Sequence, residues 1–157
     1  MGREGTMKRA LAMAVAFLAG LVAGAGTLGV KAAPARRHIN LPGRAVVAPF
    51  SDGVLVGDTL YLAGRIGLDA SGKPPADPAA EARLALDGIK AVLAEAGMTT
   101  EDLVSAQVFC TDLALFDTWN GVYRGYFGQD LPARAFIGVS ALLRGGRFEI
   151  QAIAVKR

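Results

Sequence analysis

The sequence predicts an α+β fold: an antiparallel-rich mixed sheet with two helices on one of its faces. Three observations carry this. Short runs rich in β-branched and aromatic residues alternate with turn residues from Ala45 onward. An apolar stripe recurs at four-three-four-three spacing from Ala82 to Ala96. The order of elements is strand, strand, strand, helix, strand, helix, strand, strand, which suits a single layered domain. A chain of 157 residues with 52% hydrophobic content can fill one such core.

Residues 1–33 stand apart from that domain. Met7-Lys8-Arg9 precedes an uncharged stretch from Ala10 to Val30, and small residues follow, the pattern of a secretory signal. Cleavage after Ala25 or after Ala32 is expected, with export to the periplasm. The competing reading is an uncleaved membrane anchor, since about 20 helical residues span the roughly 30 Å of hydrocarbon. Contact with a membrane is expected only in that second case. The leader also holds the excess charge: the whole chain has net charge +3, whereas residues 34–157 carry 13 basic and 13 acidic side chains. A formally neutral folded part lacks the basic face that nucleic acid requires, so no nucleic-acid partner is expected.

Residues 34–42, with Pro34, Arg36-Arg37 and Pro42, read as an extended linker, and 43–157 as the domain. His38, the sole histidine, falls in that linker. Ala45–Val47 and Gly53–Val56 are expected as short strands around Pro49-Phe50-Ser51-Asp52, and Thr59–Ile66 as a third strand after the Gly57-Asp58 turn. Asp77-Pro78 starts a helix as N-cap and first helical residue, and Gly97 ends it. Val104–Asp112 is β-rich, and Leu113–Phe127 forms the second helix. The aromatics of that helix, Phe116, Trp119, Tyr123 and Tyr126, are assigned to packing. Asn120 is the polar exception. Cys110, the only cysteine, excludes an internal disulfide and reads as a small buried apolar residue.

The last quarter of the chain concentrates the chemistry. Two strand-type runs, Ala133–Ser140 and Arg147–Val155, are joined across Gly145-Gly146 at a natural turn. In the first, Arg134, Phe136 and Gly138 share one face, and Ala135 and Ile137 take the other. In the second, Glu149 is a lone carboxylate among apolar residues. Burying it unpaired costs several kcal/mol, so it is at an edge, paired, or functional. Arg134 is the candidate for coupling to it.

No P-loop, no dinucleotide-binding glycine motif, no H-E-x-x-H and no Cys/His cluster occurs. No metal and no cofactor are therefore expected, nor a Ser-His-Asp triad. What remains is a guanidinium, which binds a carboxylate through two parallel donors, and a carboxylate that orients or deprotonates water.

These residues also carry a resemblance. Pro132-Ala133-Arg134 followed fifteen positions later by Glu149 in E-I-Q-A-I-A-V resembles the C-terminal signature of the Rid (RidA/YjgF) family of reactive intermediate deaminases. The likeness covers Asn40 to Arg157. It includes A-P-F-S-D-G, L-Y-L-A-G-R-I with Gly64, V-F-C-T-D-L, and W-N-G-V-Y-R-G-Y-F with Asn120. It implies a fold similar to the small trimeric chorismate mutases and a homotrimer with sites in the clefts between subunits. It also implies hydrolysis of 2-imino or enamine acids, released by pyridoxal-phosphate enzymes, to 2-oxo acids and ammonia, an activity of the 2-iminobutanoate/2-iminopropanoate deaminase type. Arg134 would hold the substrate carboxylate and Glu149 the water and its protons, with Phe50, Gly64, Asn120 and Phe136 lining the cleft. The sheet face left open by two helices on the other side independently argues for an oligomer.

The chain departs from the family pattern at Phe50, where the family has Tyr, at Ala135 (Ser), Phe136 (Cys), Arg65 (Gln) and Gln151 (a second Glu). Each lost hydrogen bond is worth about 0.5 to 1.5 kcal/mol. Plainer roles stay open: Arg134 as a structural ion-pair partner, Glu149 as its counter-charge, Asn120 as an exposed residue, Phe50 as packing. Two other functions therefore stand beside deamination, a non-catalytic binder of small carboxylates and a structural or chaperone-like trimer.

Overall fold

Six strands form one sheet in the computed structural model, which describes residues 33–43 and 48–157. The leader, with its export or anchor reading, and the expected strand Ala45–Val47 lie outside the described residues. Pro34–Arg157 is one compact unit. Its elements are β1 (Arg36–Ile39), β2 (Gly53–Val56), β3 (Thr59–Ile66), α1 (Pro78–Glu95), β4 (Leu103–Cys110), α2 (Phe116–Tyr123), β5 (Ala133–Gly138) and β6 (Phe148–Val155). The strand order is β1-β2-β3-β6-β4-β5, antiparallel throughout except for the parallel pair β4/β5.

Most elements end where local chemistry ends them. Asp77 caps α1 by accepting from the amides of Ala79 and Ala80, and Pro78 opens the helix. Gly97 takes the left-handed φ of +71° that stops it. The stripe Ala82, Leu86, Ile89 and Leu93 is fully buried against Leu60, Leu62, Val108, Ile150 and Ala154 of the sheet. Trp119 and Tyr123 of α2 complete this core with Phe148. The mixed sheet with two helices is therefore as the sequence predicts, and Cys110 is buried within it.

Three expectations need correction. The expected linker contains β1, which pairs antiparallel with β2 in register Arg36↔Val56 to Ile39↔Gly53. Only Ile39 of that strand is buried, so an edge strand of polar residues shows no alternation to read. His38 thus belongs to the sheet, with its Nδ1 3.0 Å from Ser51 Oγ. The second helix is shorter than Leu113–Phe127. Only Phe116–Tyr123 is α-helical, with 3-10 turns at Leu113–Leu115 and Arg124–Tyr126 on either side. Finally, β5 and β6 are not neighbours, because β4 lies between them.

Two buried carboxylates tie loops to this frame. Glu81 of α1, wholly buried, accepts from Arg147 Nε and the Arg147 amide, each at 2.6 Å, and from the Phe148 amide at 3.1 Å. Arg147 in turn donates to the carbonyls of Pro75 and Ala76, so one ion pair holds the loop before α1 to the start of β6. Asp52 accepts from the Leu41 amide at 2.7 Å and pairs with Arg65 at 3.2 Å. A bulge between Leu62 and Arg65 turns Arg65 toward that partner.

Candidate active site

The parallel register Ala106↔Arg134 and Val108↔Phe136 puts Arg134 and Phe136 on the helix-covered face, because Ala106 and Val108 are buried there. Glu149 follows Phe148 and precedes Ile150, both buried on that face, so Glu149 projects from the open one. The two residues expected to couple therefore lie on opposite faces of one sheet. They are also two strands apart, roughly 10 Å at the usual spacing. Within one protomer Arg134 and Glu149 therefore do not pair, so a meeting of the two can only be between subunits.

Each residue instead anchors its own cluster. Arg134 donates from Nη2 to Asn120 Oδ1 at 2.7 Å. A guanidinium accepts nothing, so the Asn120 oxygen must face it and the amide NH2 remains as a pair of donors. The guanidinium carbon lies 4.6 Å from the Tyr123 ring centroid, 5.8 Å from Phe116 and 6.0 Å from Phe136. Phe116 and Phe136 stack edge to face at 5.1 Å, which fixes that wall. Neutral groups orient the cation here, and no carboxylate among the described residues forms an ion pair with it. Its charge is left for a ligand. Asn120 and Phe136 are thus brought to Arg134, as expected of them.

A cavity of about 370 Å³ opens beside this cluster, lined by Phe116, Asn120, Tyr123, Arg124, Leu131, Pro132 and Arg134. That volume suits a small molecule. Tyr123, which the sequence assigned to packing, is buried and also lines the cavity. Burial pushes its phenol pKa up, against a smaller downward pull from Arg134. Its hydroxyl has no hydrogen-bond partner among the described residues. No sequence signal separated it from the core aromatics around it.

The second cluster joins Gly64 and Glu149. A β-carbon on Gly64 would clash with Glu149 Oε1 and lie 2.9 Å from its Cδ and 3.2 Å from its Cγ. The carboxylate thus fills space that only glycine leaves. Phe50 is 58% exposed in the loop before β2. The Asp52 carbonyl accepts from the Ala63 amide at 3.0 Å, which sets that loop at the Gly64 end of β3. The expected residues therefore separate, Arg134, Asn120 and Phe136 in one cluster and Glu149 with Gly64 in another, while Phe50 stands exposed in the loop that the Asp52 carbonyl ties to β3. Among the described residues no group of His, Cys, Asp and Glu is arranged to hold a metal.

The endoribonuclease L-PSP family model matches residues 42–156. A 2-iminobutanoate/2-iminopropanoate deaminase of Bos taurus is 45% identical over 114 residues, 71% of this chain and 83% of its own. The Escherichia coli K12 protein of that name is 38% identical over 117 residues, 72% and 91% of the two chains. The crystal structure of the E. coli YjgF gene product superposes with a TM-score of 0.72 at 36% identity, covering 77% of this chain and 99% of its own. E. coli TdcF with bound serine superposes with a TM-score of 0.71 at 34% identity, covering 77% and 100%.

Proposed function

The chain belongs to the endoribonuclease L-PSP (YjgF/Rid) family, and from that premise we propose that it hydrolyses reactive 2-imino and enamine acids to 2-oxo acids and ammonia. The carrying observation is Arg134, a cation oriented by Asn120 and three aromatic rings with its charge unspent. It would take the substrate carboxylate through two parallel donors. The α-carboxylate of the serine bound to TdcF is a group of the same kind.

The active unit in this reading is a homotrimer. The Arg134, Asn120 and Phe136 cluster of one protomer faces the Glu149 and Gly64 cluster of the next, with its Phe50. Opposite-face placement supports this, since neither cluster alone holds both a carboxylate clamp and a base. So does the open sheet face, where Tyr61, Ile137 and Val155 stand exposed.

With the carboxylate held, Glu149 accepts a proton from a water as its oxygen bonds to C2 of the protonated imine. The C=N π pair moves to nitrogen. The proton then passes from Glu149 to that nitrogen, the C–N bond breaks with its electron pair on nitrogen, ammonia leaves, and the C2 hydroxyl becomes the carbonyl as Glu149 takes its proton, which passes to water or to ammonia in solution. An enamine enters the same path after protonation at C3. Phe50, lacking a hydroxyl, serves as an apolar wall.

A second reading, carboxylate binding without turnover, draws on Ala135 and Phe136, which replace polar residues of the family pattern. Nucleic acid stays outside the proposal despite the family's endoribonuclease description, because residues 34–157 are formally neutral. Residues 1–33 are proposed to direct export, with a released periplasmic product or an anchored one as the two outcomes.

The test follows a freshly generated 2-imino acid, trapped by semicarbazide, with the leaderless domain and with Arg134→Ala. Faster imine loss with wild type alone supports the enzyme. Carboxylate binding that Arg134→Ala abolishes, without turnover, supports the binder. Absence of both effects overturns both.

A further inference from the structure

The Arg134 cavity has a second cation on its wall. Arg124 lines it together with Arg134, and no Asp or Glu does. Arg124 is exposed, and no hydrogen bond or ion pair of its side chain occurs among the described residues. It follows the last residue of α2, and its amide bonds back to the Asn120 carbonyl. Its backbone is thereby tied to the residue that orients Arg134, while its long side chain is free to swing over the cavity.

One positive charge matches one α-carboxylate. Two on the same wall, with no Asp or Glu of the same protomer among the described residues lining it, match a ligand with two negative charges, while the Glu149 that the proposed trimer brings in from the next protomer is assigned to the water at C2. Leu131, Pro132 and Phe116 bring no charge to the lining, so apart from the two arginines a second carboxylate meets only the neutral donors of Asn120 and Tyr123. We infer that this cleft selects 2-imino acids carrying a second carboxylate, with Arg134 holding the α-carboxylate and Arg124 the distal one. The inference rests on the deaminase reading for its substrate chemistry and goes beyond it in naming the substrate class. Arginine at a helix C-terminus also complements the helix dipole. That role stabilises the fold and carries no preference between ligands, so selectivity separates the two.

The test compares 2-iminoglutarate with 2-iminobutanoate, each generated in situ from the amino acid by an oxidase and trapped by semicarbazide. Wild type is expected to show the higher kcat/KM on the dicarboxylate. Arg124→Gln should lower the dicarboxylate-to-monocarboxylate ratio about tenfold, the size of one partly exposed charge-assisted contact. Arg124→Lys should restore part of it, and Arg124→Glu should lower it further. A ratio unchanged within about twofold in Arg124→Gln, with the monocarboxylate still consumed, overturns the inference and leaves the deaminase standing. If wild type consumes neither imine, the deaminase reading fails, and titration with 2-oxoglutarate and 2-oxobutanoate decides the subsite alone. Tighter 2-oxoglutarate binding that Arg124→Gln abolishes then supports it, and equal binding of the two overturns it.

Discussion

Gly64→Ala tests the second cluster with a single methyl group. The added carbon would clash with Glu149 Oε1 and stand 2.9 Å from Cδ, inside any ordinary contact between carbons. Backbone strain is not the issue, since Gly64 is absent from the glycines with positive φ. The half-buried Glu149 side chain has room to rotate away over the open face. An off-rotamer torsion costs about 0.5 to 1.5 kcal/mol. Losing glycine's freedom in the unfolded chain returns about 0.4 to 1 kcal/mol. The two nearly cancel, so the denaturation midpoint should move little. Catalysis should not survive so well: displacing a general base by an ångström costs on the order of 100-fold. The expected result is kcat on 2-iminobutanoate down about 100-fold, with KM changed little because Arg134 is untouched. Gly64→Ala/Glu149→Ala should be no slower than Glu149→Ala alone. Wild-type kcat in Gly64→Ala would refute the placement of Glu149 as the base.

Glu81→Ala removes the acceptor of a partly buried ion pair and leaves Arg147, 27% exposed, without it. A loss of about 3 kcal/mol is expected in urea unfolding, the low end for breaking such a pair because Arg147 is partly solvated. Tyr126, whose phenol is pushed up to about 12 first by burial and then by its hydrogen bond to Asp87, is neutral in the fold where an unfolded tyrosine already ionises near pH 10. Its contribution is whole below about pH 10 and is lost as pH rises to about 12. Tyr126→Phe should lower stability at neutral pH and flatten that alkaline decline in a pH series of thermal melts. Tyr123→Phe, which removes a buried hydroxyl without a partner among the described residues, should leave the melting temperature unchanged or raise it slightly. Ile153→Asp on the open face should shift light-scattering mass toward the monomer and abolish turnover with it.

Local signals account for most of what the sequence made legible. The bounds of Gly53–Val56 and Thr59–Ile66 follow from alternation and the Gly57-Asp58 turn, and those of the long helix from Asp77, Pro78 and Gly97. Arg36–Ile39 was missed because an edge strand with one buried residue looks like a linker. Glu81 and Arg147 are 66 positions apart, and nothing near either marks the pair. The site followed the same division. Glu149 and Arg134 stood out as charges in strand-type runs and Asn120 as a polar residue among aromatics, and the family resemblance gave them their roles. Their opposite faces depend on β4 entering between β5 and β6, a non-local choice that the Gly145-Gly146 turn conceals.

That opposition also constrains the assembly. A 2-imino acid spans only a few bonds from carboxylate to C2, so a clamp and a base on opposite faces of one sheet cannot serve one molecule. In the proposed trimer a second copy brings its Glu149 cluster to the first copy's Arg134. The contact is then between unlike surfaces, the β5 edge of one protomer and the open face with the Gly64 end of β3 in the next. A two-fold dimer would need both surfaces within one self-complementary patch, and surfaces on opposite faces of a sheet do not form one. They close as a ring or continue as a filament. In the proposed ring of three, each Arg134 would meet one Glu149, and the open faces, with exposed Tyr61 and Val155 and half-buried Ile153, would be covered by neighbouring copies. The open face that a lone domain would have to expose is, on this argument, the same feature that completes the chemistry.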